Sequence, residues 1–292
     1  MTQWVIGVIG GSGLYEISGL EDRREERVET PWGAPSDALV HGRIGDVRFV
    51  FIPRHGRGHR LMPTEVPYQA NIAALKQAGV TDVLAISACG SLQEQYAPGD
   101  FVTADQFIDR TFARPKTFFG EGMVAHVSMA RPVCSRLSAL AGDAAEAAGA
   151  KVHRGGTYIT MEGPQFSTLA ESRLYRQWGC DVIGMTAMPE SKLAREAELP
   201  YAVLAMVTDY DCWREDEEAV SVTNVLEIMG HNSALGRAAI VKLAEMLSGT
   251  PRTPSPDGID TCLDHALITA QAARAPETLR KLEVIAGRAL KG

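Results

Sequence analysis

Short apolar runs, many of them β-branched, recur along this chain and end in Gly, Ser or Thr, with longer stretches of helical periodicity between them. Residues 5–9, 47–52, 83–87, 158–161, 182–183 and 202–207 show little polar alternation, the pattern of strands covered on both faces. Residues 68–78, 132–148, 169–178, 189–196 and 220–247 repeat apolar side chains at helical spacing, and Pro132 and Pro189 suit first-turn positions. This alternation predicts an α/β fold with a largely parallel sheet.

One break interrupts the pattern. Residues 249–258 are rich in Pro, Gly and Ser and cannot propagate a helix. They divide the chain into a main unit (1–248), a linker (249–258) and a C-terminal helical appendage (259–292). Leu263, Ala266, Leu267, Leu279, Leu282 and Ile285 form an apolar stripe in the appendage, which predicts that it packs; a flexible tail is the alternative.

Composition narrows the function classes. With 292 residues, 45% of them hydrophobic, the chain can bury a sizeable core, so disorder and a disulfide-held miniprotein are excluded. A net charge of −7 with no basic run offers no footprint for nucleic acid or an anionic membrane, although local Arg and His can still gather an anion. Cys89, Cys134, Cys180, Cys212 and Cys262 are dispersed and odd in number, which fits a reducing compartment better than a disulfide or metal framework. The N-terminus lacks the basic region of a signal peptide, and no apolar run nears the roughly 20 residues of a membrane helix. A soluble, cytoplasmic protein is expected.

Chemistry-bearing motifs sit at the ends of the strand-like runs. Gly10-Gly11-Ser12-Gly13-Leu14 follows the first; converging amides and a Ser hydroxyl suit phosphate, but the string matches neither G-x-G-x-x-G nor a P-loop, and a plain turn reads as well. Arg54-His55-Gly56-Arg57-Gly58-His59 supplies a planar donor fork and imidazoles for an anion, or else a solvated loop. His55 and His59 are spaced like a metal pair but have no third ligand nearby, so no metal is expected. Ser87-Ala88-Cys89-Gly90-Ser91 ends a third run. Ligands in open α/β sheets lie beyond the carboxyl ends of strands, so three small-residue ends predict one crevice. Cys89 has no identifiable base partner and reads as a buried thiol.

Three later strings extend the crevice. In Met161-Glu162-Gly163-Pro164-Gln165-Phe166-Ser167, Glu162 is placed for sugar hydroxyls and Phe166 offers a flat face, unless the segment is a tight turn with a buried Phe. Gly184-Met185-Thr186-Ala187-Met188-Pro189-Glu190 reads as strand, turn and helix start, where Thr186 and free amides meet an anion. Asp209 and Asp211, two apart at a strand end, point to one side. They form either a solvated acidic turn or a pair that titrates apart and holds a proton for a leaving group. Adenine suits such a pair, since N7 accepts and the 6-amino group donates.

Taken in order, GGSGLY, RHGRGH, SACGS, MEGPQFS, GMTAMPE and TDYDCW, with Thr30-Pro31-Trp32-Gly33, Val66-Pro67-Tyr68-Gln69-Ala70-Asn71 and Asp105-Gln106-Phe107-Ile108-Asp109-Arg110-Thr111, resemble the trimeric purine nucleoside phosphorylase family over roughly residues 5–248. The likeness is strongest to its branch acting on 5′-methylthioadenosine. It implies a single α/β domain with a central mixed β-sheet flanked by helices, and phosphorolysis that yields adenine and 5-methylthioribose 1-phosphate. It also implies inorganic phosphate as co-substrate, no cofactor or metal, and a homotrimer or dimer of trimers.

By the same resemblance, Ser12, Arg54, His55, Ser87, Ala88 through its backbone, and Thr186 bind phosphate. Asp209 protonates or shares a proton with N7, and Asp211 receives the 6-amino group. Phe166 packs on the base, Met185 lies under the ribose, and His126, Val222 and Val225 line the 5′ pocket, His126 reaching it from a neighbouring subunit. Gly184 stands where the animal enzymes carry Asn, so a hydrogen bond near the base is expected to be missing or replaced by water. The alternatives are a phosphorylase for methylthioinosine or other 6-oxopurine nucleosides, a nucleoside hydrolase, and a non-enzymatic nucleoside- or phosphate-binding module. The Asp pair argues against the first, and Ser12 with Arg54-His55 against the second.

Overall fold

In chain order the elements are β1 (Val5–Gly10), β2 (Glu21–Glu26), β3 (Leu39–Ile44), β4 (Val47–Pro53), α1 (Tyr68–Gln77), β5 (Asp82–Ser91), β6 (Phe101–Thr103), β7 (Gln106–Asp109), α2 (Ser135–Ala147), β8 (Val152–Arg154), β9 (Thr157–Thr160), α3 (Leu169–Gln177), β10 (Val182–Gly184), α4 (Ala187–Glu196), β11 (Tyr201–Asp209), α5 (Val222–Leu247) and α6 (Pro276–Leu290). This computed structural model describes residues 3–11, 13–14, 16–214 and 222–291, without the side chains of 222–227.

The sheet is arranged around β5. One path runs β2-β3-β4-β1-β5-β10-β9-β7, while β11 pairs the same β5 and leads on through β6 to β8. β1 pairs in parallel with the first part of β5 (Asp82 to Ala85) and β11 in parallel with Val83 to Gly90 on its other side; beyond β1, Gly90 and Ser91 pair antiparallel with β10. The sheet therefore forks at the Ser87–Ser91 end of β5. A register shift between Val207 and Asp209 in β11 falls at the same place and re-aims the chain beyond it.

Alternation within the strands builds two cores. Val5, Ile9, Val50, Ile52, Val83, Ala85, Val203 and Ala205 face α1, α4 and α6. Ile6, Val8, Phe49, Phe51, Leu84, Ile86, Leu204 and Met206 face α2 and α5. Burial on both faces is why these strands read as continuous apolar runs. A smaller cluster of Leu92, Ile159, Tyr175, Ile183, Tyr210 and Trp213 seats α3.

The structure departs from the sequence pattern in several places, and β2, β3, β6, β7 and β8 are strands that the apolar runs do not mark. Four antiparallel pairings accompany the parallel ones, so the sheet is mixed, as the resemblance implies, and less parallel than the alternation alone predicts. The antiparallel edge strand β2 reads Glu-Asp-Arg-Arg-Glu-Glu; exposed along most of its length, it carries no apolar signal. Pro132 does not open α2, which begins at Ser135; Pro132 precedes it and accepts a hydrogen bond from the Ser191 hydroxyl. Pro189 does open regular helix, because Met188 is extended (φ −114°, ψ 136°) and interrupts α4.

Charge fixes the segment after α5 to the main unit. Asp82, fully buried at the start of β5, receives hydrogen bonds from Arg136 of α2 and from Arg252, and Arg252 also reaches Asp260. Arg288 of α6 grips Glu198 and Asp264, while Leu282, Ile285 and Ala286 enter the α1–α4 core. Removing one member of a buried ionic cluster leaves the other charges uncompensated. Asp82→Ala should lower unfolding free energy by about 3–5 kcal/mol in urea titrations. A loss below about 1 kcal/mol would show that Arg136 and Arg252 do not depend on it.

Candidate active site

The ends of β1, β4 and β5 and the start of α4 are sewn together by one buried guanidinium. Arg54 directs Nε and Nη2 to Glu190 (2.8 and 3.0 Å), another Nη2 hydrogen to Ile9 O and one Nη1 hydrogen to Ile86 O. Its own amide donates to Gly10 O. Glu190 also accepts from the Tyr201 hydroxyl. Four of the five guanidinium N–H groups are thus spent on the protein, leaving one on Nη1. The fork that the sequence places on phosphate is mostly taken up by Glu190 and two main-chain carbonyls.

Hydroxyls and imidazole complete the cradle. Ser87 Oγ lies 3.1 Å from Thr186 Oγ1, joining the β5 end to the N-cap of α4. Ala88 is half-buried between Ser87 and Cys89. His55 Nδ1 donates to Leu61 O, and its ring stacks on His59 at 4.3 Å. Burial, aided by the Arg54 charge, pulls its pKa down to about 4. The ring is therefore neutral at pH 7, and with Nδ1 committed, Nε2 is an acceptor.

Arg114 organises the opposite wall. No motif marks this residue, yet its buried side chain donates to Glu162, to the Tyr68 hydroxyl and to the carbonyls of Met185, Met188 and Glu162. It therefore holds the two turns that carry Met185 and Phe166. Glu162 faces inward and accepts from Thr64, Phe112, Ala113 and Arg114, so it is committed to the scaffold and not placed for sugar hydroxyls. Phe166 is 51% exposed, which removes the buried-turn reading and leaves its ring open to a ligand. Met185 is half-buried.

At the β11 end, Asp209 Oδ2 accepts from the Thr208 hydroxyl at 2.6 Å and Oδ1 from the Asp211 amide at 2.8 Å. A Cβ on Gly90 would lie 2.8 Å from Asp209 Oδ1, so glycine there makes room for the carboxylate. Asp211 adopts φ +53°, and its Oδ2 is buried without a partner. Burial, and after Ser172's opposing influence the Asp209 charge, push its carboxyl above the ordinary range. These residues do not form a solvated acidic turn.

Unpartnered polar atoms mark the same crevice. Among the described residues seven buried side-chain polar atoms lack a well-formed hydrogen bond, and four of them are Tyr158 OH, Thr160 Oγ1, Ser172 Oγ and Asp211 Oδ2, with Ser172 beside Asp211 and Ser87 beside Tyr158. Such atoms are rare in a settled interior and point to a bound ligand or water. Sequence reading missed Tyr158, Ser172 and Arg114; only the last residue of β9 and the start of α3 being next to a quoted motif hinted at the first two.

Three expected residues fall outside the described atoms. Ser12 is not among the described residues, nor are the side chains of Val222 and Val225 at the start of α5. His126 is exposed, with its amide donating to Ala266 O, and is not brought to the cradle within one chain.

The chain is similar to known proteins over nearly its whole length. Residues 5–245 match the family model described as the phosphorylase superfamily. The chain is 60% identical over 99% of both lengths to an S-methyl-5′-thioadenosine phosphorylase of Cereibacter sphaeroides, and 54% identical to that of Geobacter sulfurreducens over 97% of this chain and 98% of that one. It superposes with a TM-score of 0.91 and 45% identity on a methylthioadenosine phosphorylase from an Antarctic soil metagenomic library, covering 98% of this chain and 99% of the other. Methylthioadenosine phosphorylase from Schistosoma mansoni in complex with adenine matches with a TM-score of 0.84 and 38% identity, covering 90% of this chain and 98% of that one.

The neutral His55 makes stability depend on pH. Between about 4 and the ordinary value of 6.5 the unfolded chain binds a proton that the folded chain refuses, so stability rises with pH across this window and is lost as pH falls through it. Melting temperatures measured from pH 4 to 7 should show that slope, and His55→Gln should flatten it. His41, also held low by burial, contributes to the slope that remains, together with carboxylates whose pKa the fold shifts, Glu162 and Glu26 downward and Glu196 and Asp211 upward. A variant with the wild-type slope would place the titration elsewhere.

Proposed function

The chain belongs to the phosphorylase superfamily, and from that membership we propose that its crevice cleaves 5′-methylthioadenosine with inorganic phosphate, releasing adenine and 5-methylthioribose 1-phosphate. One observation carries the reading: an anion cradle at the ends of β4 and β5 stands beside a carboxylate pair at the end of β11, the strand paired with β5.

The chemistry asks for both halves. A phosphate oxygen bonds to C1′, the C1′–N9 bond breaks, and its electron pair leaves with the base. Ser87, Thr186, the Ala88 amide, Ser12 and the remaining Arg54 hydrogen would hold the phosphate, while the P–OH of the dianion donates to His55 Nε2. Several charge-assisted hydrogen bonds, each about 1.5–3 kcal/mol, are enough to bind the dianion and aim it. Its negative charge also stabilises the cationic sugar as the bond opens.

On the other side, Asp209 would deliver the proton to N7, while Asp211 accepts from the 6-amino group. The proton belongs to the pair jointly, since Asp211 is the member pushed upward and Asp209 the one given two donors. Phe166 and Met185 would pack on base and ribose. His126, with exposed Val124 and Ile268 beside the strand-like contact of Ala125 with Leu267, would close the 5′ pocket of a neighbouring subunit with that subunit's Val222 and Val225, in a homotrimer or dimer of trimers. Phosphate is the co-substrate, these steps call on no further cofactor, and a cytoplasmic location is proposed.

One observation favours a second substrate. A protonated Asp211 can donate to a 6-oxo group, and its carboxyl is already pushed upward. Turnover of 5′-methylthioinosine relative to 5′-methylthioadenosine should therefore rise as pH falls, and Asp211→Asn should raise that ratio and free it from pH. A ratio flat in the wild type, or unchanged in the variant, would remove Asp211 from base selection.

The main reading is tested by following base release with and without phosphate. Adenine should appear only with phosphate, and Asp209→Asn should lower kcat by about 10²–10⁴-fold, the usual contribution of general acid catalysis. Cleavage without phosphate would make the protein a hydrolase.

A further inference from the structure

The Tyr158 side chain is fully buried, and its hydroxyl makes no well-formed hydrogen bond among the described residues, although the Ser87 side chain lies within its reach. A desolvated, unpartnered hydroxyl costs stability that phenylalanine would avoid. Its use therefore lies in what binds beside it.

Three sides define its position. Thr160 shares its face of β9, two residues on, and Thr160 Oγ1 is likewise buried and unpartnered. Gly184 of β10 stands in register with Thr160, and a Cβ there would sit 1.8 Å from the Tyr158 hydroxyl oxygen. The tyrosine tip fills the space of that missing side chain, directly before Met185 and Thr186. From the third side, Ser87 and Cys89 alternate with Val83 and Ala85 along β5 toward the layer that holds Tyr158. The phenol is pushed above its ordinary range, chiefly by burial, with Cys89, Ser87, Arg54 and Glu190 as neighbours, so it stays an O–H donor at working pH.

Ser87 has one hydrogen to give. Ala88 O and Thr186 Oγ1 compete for it, each at 3.1 Å. We propose that Tyr158 is a positioning residue for the phosphate cradle: with phosphate bound, its hydroxyl donates to Ser87 Oγ and turns the single Ser87 hydrogen toward a phosphate oxygen. Gly184 is the space this requires, and the hydroxyl takes the place of the side chain that Gly184 lacks. The inference rests on the phosphorolysis reading and adds to it a residue that acts through Ser87.

Tyr158→Phe keeps the ring and removes one oxygen. Its melting temperature should equal or exceed that of the wild type, while the phosphate KM rises about fivefold to tenfold, the worth of one hydrogen bond. The KM for 5′-methylthioadenosine should stay within about twofold, since the hydroxyl serves the other substrate. Protection by phosphate against thermal unfolding should weaken in parallel. Because the tyrosine acts through the serine, Tyr158→Phe combined with Ser87→Ala should be no worse for phosphate than Ser87→Ala alone. An unchanged phosphate KM, losses that multiply in the double variant, or a lowered melting temperature each overturns the proposal. Wild-type protein that cleaves without phosphate would instead overturn the phosphorolysis reading.

Discussion

A guanidinium cannot be taken out of water without compensation, and the interior around Arg54 is shaped by that fact. Its charge is matched by Glu190, its hydrogens are shared among Glu190, Ile9 O and Ile86 O, and Glu190 is itself bonded by Tyr201. To satisfy this one ion, β1, β4, β5, β11 and α4 must meet at the same point. Four of them carry Gly10, His55, Ser87 and Thr186 near this point, while β11, joined here through its first residue Tyr201, brings Asp209 at its far end along β5. The requirement that buries the charge therefore also assembles the crevice. Because Glu190 offsets the charge, selection of phosphate falls to oriented dipoles, the hydroxyls of Ser87 and Thr186 and a neutral His55, more than to net positive potential. That is how a chain with a formal charge of −7 can hold a dianion.

The same elements show what a sequence can reveal. Strands buried on both faces announce themselves as apolar runs, and the rule that ligands lie beyond carboxyl strand ends unites distant motifs without coordinates. Orientation is another matter. Arg54 and Glu162 are both charged residues in conspicuous motifs, yet each faces a partner more than forty residues away in the chain, Glu190 and Arg114 respectively. No local pattern encodes such a pairing. Arg114 and Tyr158 were illegible for the same reason: one lies in an irregular segment, the other reads as one more apolar strand residue. β2 escaped because an exposed edge strand of charged residues has no hydrophobic period to detect.

Space does as much here as side chains do. Gly90 leaves room for Asp209, and Gly184 leaves room for the tip of Tyr158; a methyl group at either site would meet an oxygen at 2.8 or 1.8 Å. In both cases a glycine on one strand lets a polar group from the next enter the crevice at backbone distance. Asp211 then continues the theme at a cost, with a left-handed backbone and a buried oxygen left unbonded.

Such features destabilise the fold where they occur, and their distribution is not even. The oxygens of Tyr158, Thr160, Ser172 and Asp211 that lack a well-formed bond gather at the forked end of the sheet, whereas Asp82 with Arg136 and Arg252, and Glu198 with Arg288, lock the chain elsewhere through paired charges, Arg136 Nε alone of that group being buried without a partner among the described residues. The two regions share β5: Asp82 anchors its first residue, and Ser87 to Ser91 lie at its last. A strand held firmly at one end can carry unsatisfied groups at the other without losing its register, because β1 pairs its first four residues and β11 runs beside it from Val83 to Gly90. Polar groups left short of partners in the protein are then held rigidly enough to be completed by a ligand, which gains the hydrogen bonds without having to order the groups that make them.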